Sequence, residues 1–543
     1  MITSQIAGPL STKPPVRGKI SRTPLADKVN TLIGSFKSST SDLNVPLGPD
    51  YKEFSYDDAA AHLQLSRLHK KFEVLNTEYD PVRRKKTIEK VIAYESTGIR
   101  KFNPSNLDAT TKGILFNARQ KLHESLRIHY RPRPDDVCLP SGESAISANG
   151  DVSTYAKLKN AKYWTTTQRN FDSFARTVYN HPGLKHAAKR HLRYYESKRQ
   201  LVAPGVYAWR KFDNAAMWLA LGDMKSQKKA FLIFKAKLRC IVTFQEECRI
   251  TTVPKDNEDD RVIICANFCN MIEQLKIHNA LWRSIGDIFD IKLEDSQLLH
   301  KLMLCDPSNV TVDFSNASNS VYLSVCRWFF EGTSLWRDLI NAREDIARLP
   351  GNEYHEFVML SPMGNGYTFS VMTLLITAIA RELDSFAHVF GDDLIVSSDV
   401  VDTCVSVLSV IGFKTNNKKT FTEGNFRESC GGFTCEGKYI TSYDFHCNDT
   451  DMDAVVTVNK VGIIANSYHT KFTPLWQQLH NSLLEVIPAH LLRAYYFKKD
   501  YAIHMINLDT LRVQAARRRP NLLTWSNKLY EDLSYTFSYP AEP

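Results

Sequence analysis

The chain has 543 residues, 43% hydrophobic and 11% aromatic, and carries a net charge of +10. That composition excludes a disordered protein, the length exceeds one ordinary core and suggests about three or four domains or one multi-lobed body, and the basic balance attracts polyanions without specifying which. Eleven cysteines, odd in number and without a CxxC pair, read as reduced thiols of a cytosolic protein rather than a disulfide framework, and Cys265/Cys269 and Cys430/Cys435 lack a second half for zinc.

Residues 1 to about 50 are rich in Ser, Thr, Pro and basic residues, with no acid before Asp27. Pro9, Pro14, Pro15 and Pro24 spoil the amphipathic helix of a mitochondrial presequence, so a flexible basic segment is expected over 1–50. From Asp57 to about Tyr130 the pattern turns helical, and "KHAAKRHLRYYESKR" (Lys185 to Arg199) follows as a basic stretch with interleaved aromatics. A solvated helix face explains that stretch unless a groove lies beside it.

"NVTVDF" (Asn309 to Phe314) alternates as a strand and ends near Asp313. "SPMGNGY" (Ser361 to Tyr367) is a glycine-rich loop leading into a helix that runs to about Leu383. Within it "VMTLLITAIA" is far short of the ~20 apolar residues that cross a bilayer and reads as buried. "HVFGDDLIVSS" (His388 to Ser398) reads as a hairpin with Asp392 and Asp393 at its tip, and "VDTCVSVLSVIGF" as a helix closing at Gly412. "NNKKTF" and "FRESCGGF" come next, then a mainly helical last hundred residues with a second basic patch, "RVQAARRRP" (Arg512 to Pro520).

Adjacent carboxylates repel, and a cation between them reverses the sign of that interaction. A Gly-Asp pair is also what a tight turn uses, so the tripeptide alone decides nothing. Asp313 supplies context: a sheet pairing its strand with the hairpin brings a third carboxylate to the same edge, a donor set that suits magnesium. Two such ions about 4 Å apart activate an attacking hydroxyl and stabilise a leaving pyrophosphate.

The ordered set "VDFSNASNS", "SPMGNGYTF", "FGDDLIV", "GFKTNNKKTF" and "FRESCGG" resembles the replicase of the leviviruses, the single-stranded RNA bacteriophages, over roughly Val253 to Gly432. The resemblance implies an α+β right-hand polymerase with an antiparallel palm sheet. Its parts would be fingers and an N-terminal helical region over 51–300, the palm over 301–440 and the thumb over 441–543. It implies an RNA-directed RNA polymerase, a nucleotidyltransferase, that uses two Mg2+ ions, with Mn2+ as a substitute. Asp313 and Asp392 would be the principal metal carboxylates with Asp393 beside them, and Lys419 would protonate the departing pyrophosphate.

In "VPKDNEDDR", Lys255 and Arg261 would contact the incoming triphosphate. Gly364 and Asn365 would approach the nascent pair and ribose, and Ser318 and Asn319 would lie at the sugar. Three positions depart from the family pattern: Asn319 stands where the family has Asp, and Ala266 and Asn267 where a Glu-Pro pair is usual. Asn319 is expected to read the 2′ hydroxyl with Asn365, less strongly than an aspartate.

The partners so implied are an RNA template, its nascent strand, nucleoside triphosphates, host elongation factors Tu and Ts and a ribosomal protein, in the cytoplasm of a bacterial host with no membrane. Two other readings stand beside this one: the polymerase of a capsidless levivirus-like virus in a eukaryotic host, and a catalytically silent RNA-binding protein of polymerase shape.

Overall fold

A computed structural model describes residues 22–72, 81–140, 157–158, 164–202, 226–255, 260–467, 470–488, 495–497 and 501–503. The basic patch at 512–520 lies outside them. The chain divides into two compact units, one containing 45–444 and the other joining 20–44 to 445–543.

In the larger unit the strands in chain order are β1 (Thr165–Thr166), β2 (Thr243–Phe244), β3 (Glu247–Pro254), β4 (Asp260–Cys265), β5 (Asn309–Val312), β6 (Phe314–Ser315) and β7 (Ile346–Arg348). They continue with β8 (Tyr354–Glu356), β9 (His388–Phe390), β10 (Asp393–Ser397), β11 (Lys414–Thr415), β12 (Phe426–Ser429), β13 (Gly432–Cys435) and β14 (Lys438–Ile440). Three sheets concern the site. The first is antiparallel, in the order β5-β10-β9. The second, also antiparallel, runs β12-β13-β14, and the third is mixed, β4-β3-β7-β8.

Val310, Val312, Val389, Leu394 and Val396 belong to one buried apolar cluster with helices Ala109–His129, Phe268–Phe289 and Thr368–Ala380. Strand periodicity then turns the alternate residues to the other face of the β5-β10-β9 sheet, and Asp313 and Asp393 follow the alternate set. Helix Thr368–Ala380 is buried at every position but Phe369, because it passes through the centre of that cluster rather than lying on its surface. Behind the hairpin, His300 Nε2 lies 2.8 Å from His388 Nδ1. Burial holds both imidazoles down, to about 3 and about 4, so the pair is neutral.

In the smaller unit, helices Pro24–Ser39, Asp451–Ser467 and Thr473–Val486 pack together, with Phe36 and Trp476 ring centroids 4.9 Å apart. This corrects the flexible segment expected over 1–50, of which 1–21 lies outside the described residues. Thr23 caps the helix by accepting from the Ala26 amide, and Pro24 takes the first helical position, where its missing N–H costs nothing. Leu25, Ala26, Val29 and Ile33 bury its apolar stripe. All eleven cysteines are free thiols, and among the described residues no helix is long and apolar enough to cross a membrane.

Candidate active site

The acidic hairpin forms where alternation placed it, with Asp393 paired to Phe390 across the turn. Gly391 has φ +70°, a conformation costly for a side chain, and its amide donates to Thr373 Oγ1 at 3.0 Å. The Phe369, Phe390 and Trp282 rings pack around this turn, with Phe369 and Phe390 centroids 5.0 Å apart, and a Cβ on residue 391 would run into the Phe369 ring. Gly391→Ala is therefore expected to destabilise the fold by about 1–3 kcal/mol through strain and overpacking, read as a lower urea midpoint.

Asp313 reaches the hairpin through sheet register. Val312 on β5 pairs with Leu394 on β10, so the next step along the antiparallel ladder sets Asp313 across from Asp393. The "NNKKTF" turn grips Asp313 from the other side. Asn416 donates through Nδ2 to Asp313 Oδ2 at 2.6 Å and through its backbone amide to Asp313 O at 2.8 Å, and the Asp313 amide donates to Thr420 Oγ1 at 3.2 Å. Lys419 Nζ stands 4.0 Å from Asp313 Oδ1 and 3.6 Å from Glu428 Oε1 on β12.

The electrostatics are those of an acid-rich, half-closed site. Burial raises the Asp313 carboxyl, and Asp392 adds to the rise against Lys419 and Asn416. Asp393 is pushed up to about 6 by burial and then by Asp392, while the Cys430 amide opposes the shift. Glu428 is pushed up to about 7, chiefly by burial. Burial also works against the charge on Lys419, but Glu428, Asp313, Asp393 and Asp392 outweigh it and hold that ammonium above the ordinary lysine range.

The three aspartates thus meet at one sheet end, yet not as a finished cage: among the described residues no three His, Cys, Asp or Glu side chains are gathered to hold a metal ion. Asp313 turns its oxygens toward Asn416 and Lys419. The donor set still fits a hard divalent cation. Asp392 raises both the Asp313 and the Asp393 carboxyls and Asp313 adds to the rise at Asp393, and a cation relieves that repulsion.

Lys255 is exposed at the end of β3, and its charge acts on Asp313. Arg261 is exposed on β4 opposite Val253. β4 in turn holds the glycine-rich loop: Ile264 donates its amide to Met363 O at 2.9 Å. Gly364, at φ +97°, sits so close that a Cβ would lie 2.7 Å from Ile264 O. Asn365 is nearly buried, and its side-chain oxygen accepts from the Tyr367 amide at 3.1 Å. Asn319 is nearly buried in a short 3-10 turn beside half-buried Ser318, and Tyr94 OH lies 2.8 Å from Ser320 Oγ in that turn.

Asn267, where the family pattern has proline, precedes helix Phe268–Phe289, and its amide donates to Glu344 Oε1 at 2.6 Å. Gln274 on the same helix donates to Ala342 O and accepts from the Gly366 amide at 3.1 Å, so Glu344, Gln274 and Gly366 form a chain under the loop. Fully enclosed, the Glu344 carboxyl is pushed by burial from 4.5 to about 8. An acid raised in the folded state binds protons that the unfolded chain has lost, so its contribution to stability is complete below 4.5 and falls as pH rises to about 8. Glu344→Gln is expected to remove that slope, gaining on the wild type by on the order of 3 kcal/mol between pH 5 and pH 8 in urea unfolding.

Two functional neighbours escaped sequence reasoning, Asn416 and Glu428. Both stand inside blocks already singled out, but which side chain each would face depends on the meeting of β5, β12 and the "NNKKTF" turn, and no local pattern encodes that.

The matched relatives include the RNA-directed RNA polymerase subunit beta of Escherichia virus Qbeta, 34% identical over 225 residues, and that of Qbeta virus strain MX1, 32% identical over 225. Each match takes in 39% of this chain and 38% of the relative, so the chain spans well under half the length of these two relatives. Among solved structures, the RNA-dependent RNA polymerase of a human picorbirnavirus aligns over 45% of this chain and 56% of that one, at 13% identity and a TM-score of 0.31. The model of the RNA replicase beta-chain matches residues 166–504, a span that contains both carboxylate strands, the turn that grips Asp313 and the glycine-rich loop. With more than half its length in that match, the chain belongs to the RNA replicase beta-chain family.

Proposed function

We propose that the chain is an RNA-directed RNA polymerase that replicates the genome of a single-stranded RNA phage in the bacterial cytoplasm. The observation that carries the reading is the register that sets Asp313 across from Asp393, with Lys419 reaching the same carboxylate. In this reading β5, β10 and β9 are the core of a palm, and the β4-β3-β7-β8 sheet with its neighbouring helices belongs to the fingers.

Asp313 and Asp392, with Asp393 beside them, would hold Mg2+, which when bound lowers the charge cost of in-line displacement at the α-phosphate. The remaining work falls to the chain's own groups. Lys255 and Arg261 present cations to the triphosphate, and the Gly364 backbone lets the loop approach the base pair. The Asn365 amide nitrogen and Asn319 face the sugar. Lys419 holds a proton for the departing pyrophosphate, and the carboxylates around it keep it charged at neutral pH. Template RNA, nascent RNA and nucleoside triphosphates are the substrates, and elongation factors Tu and Ts with a ribosomal protein are the host partners.

The test is incorporation of ribonucleotides opposite an RNA template, with Mg2+ and then with chelator, in the presence and absence of the bacterial elongation factors. Template-directed, Mg2+-dependent extension is expected. Folded protein that binds RNA but extends no strand in any combination would leave the RNA-binding reading in its place.

A further inference from the structure

We propose that Glu428 is the positioning residue of the reaction: held behind Lys419, it aims the ammonium at the leaving pyrophosphate. The inference rests on the polymerase reading and goes beyond it, since the "FRESCGG" block has no role in that reading.

Glu428 lies on β12, in the middle of the ladder that pairs Arg427 with Thr434 and Glu428 with Phe433. Its side chain is 6% exposed, against 37% for Lys419, so the carboxylate is enclosed while the ammonium it pairs with is in part open. Oε1 is 3.6 Å from Lys419 Nζ, while Oε2 is buried without a hydrogen-bond partner. Leaving a carboxylate oxygen unsatisfied in the interior costs free energy, and a buried ion pair is weak support for a fold. The placement is better explained by what it does to Lys419.

An ammonium has three N–H donors. Glu428 Oε1 at 3.6 Å and Asp313 Oδ1 at 4.0 Å attract the Lys419 ammonium as ion pairs beyond hydrogen-bond length, so its N–H donors stay available to an oxygen arriving from solvent. The turn that carries Lys419 is itself fixed, since the Lys419 amide donates to Asn416 O at 2.9 Å and Asn416 grips Asp313. Backbone and carboxylate together hold the long lysine side chain in one direction.

The RNA 3′ oxygen bonds to the α-phosphorus and its proton passes to water. The bond from the α-phosphorus to the bridging oxygen breaks, and the pyrophosphate so released takes a proton from Lys419 Nζ. The neutral amine then regains a proton from water.

Glu428→Gln keeps the shape and removes the charge. The expected result is a kcat for nucleotide addition lower by about 10- to 100-fold, with KM for the nucleotide within about twofold of wild type. In a Lys419→Met background the same change adds less than about twofold, because Glu428 acts through Lys419. A kcat within about twofold of wild type overturns the assignment, and so does an equal loss in both backgrounds, which would mark a structural role. If Glu428→Gln loses its cooperative unfolding transition, Glu428→Asp is read by the same two comparisons, since it keeps the charge but withdraws it by about one methylene. A wild type that makes no RNA overturns both proposals. Extension that is lost in Asp392→Asn but keeps full kcat in Glu428→Gln overturns this one alone.

Discussion

Asp392→Asn is expected to lower Mg2+-dependent RNA extension by about 10³-fold, a loss of ~4 kcal/mol in transition-state stabilisation. Asn keeps the size and one oxygen of the side chain but not the charge, and Asp392 sits at the turn between β9 and β10, where its charge bears on both Asp393 and Asp313. The fold should tolerate the change: removing one of several mutually repelling carboxylates relieves the rise in the Asp393 and Asp313 carboxyls. RNA binding should persist, because it draws on cations spread over the surface rather than on the acids. Filter binding and primer extension on the same preparation check both halves, and extension equal to wild type would remove Asp392 from the chemistry.

Lys419→Met is expected to reduce kcat by about 10²- to 10⁴-fold, the range of general acid catalysis, with a much smaller change in KM. The side chain is the cation between Asp313 and Glu428, so its removal also leaves those acids facing each other with less compensation. That predicts a second signature. The variant should be less stable at pH 8 than at pH 6 by more than the wild type is, because Lys419 opposes the rise that burial imposes on the Glu428 carboxyl, and without that ammonium ionising the enclosed acid over the interval costs more. Pre-steady-state nucleotide addition and urea unfolding at the two pH values measure the two effects separately. A change confined to KM would make Lys419 a phosphate-binding residue instead of an acid.

Much of this site can be read from local pattern because its parts are short and strongly constrained. Val310 and Val312 alternate with Thr311, which fixes the inward face of β5, and the Gly391-Asp392 pair between two apolar runs specifies a hairpin. The ladder between them then brings Asp313 to the hairpin's end. What local pattern does not carry is the identity of facing side chains across separate segments. Asn416 meets Asp313 and Glu428 meets Lys419 only after β12 and the "NNKKTF" turn close on β5, and one alternation would serve equally for other registers.

The N-terminal misreading has a different cause. Proline density suggested an unstructured segment, but Thr23-Pro24 is also a helix start, and the apolar stripe from Leu25 to Ile33 needed a partner from beyond residue 444 to become legible. The mixed β4-β3-β7-β8 sheet leaves no local signature, because β7 and β8 are three residues each, too short for period-2 alternation to register.

The most direct test of the central claim, that the acid of β5 and the acids of the hairpin form one site, is a double-mutant cycle on Asp313→Asn and Asp392→Asn in RNA extension. Each single change is predicted to cost about 10³-fold, and the double to fall within about tenfold of the worse single, as groups acting as a unit do. An Asp313→Asn protein that extends RNA at nearly the wild-type rate, or a double loss equal to the product of the singles, would contradict it.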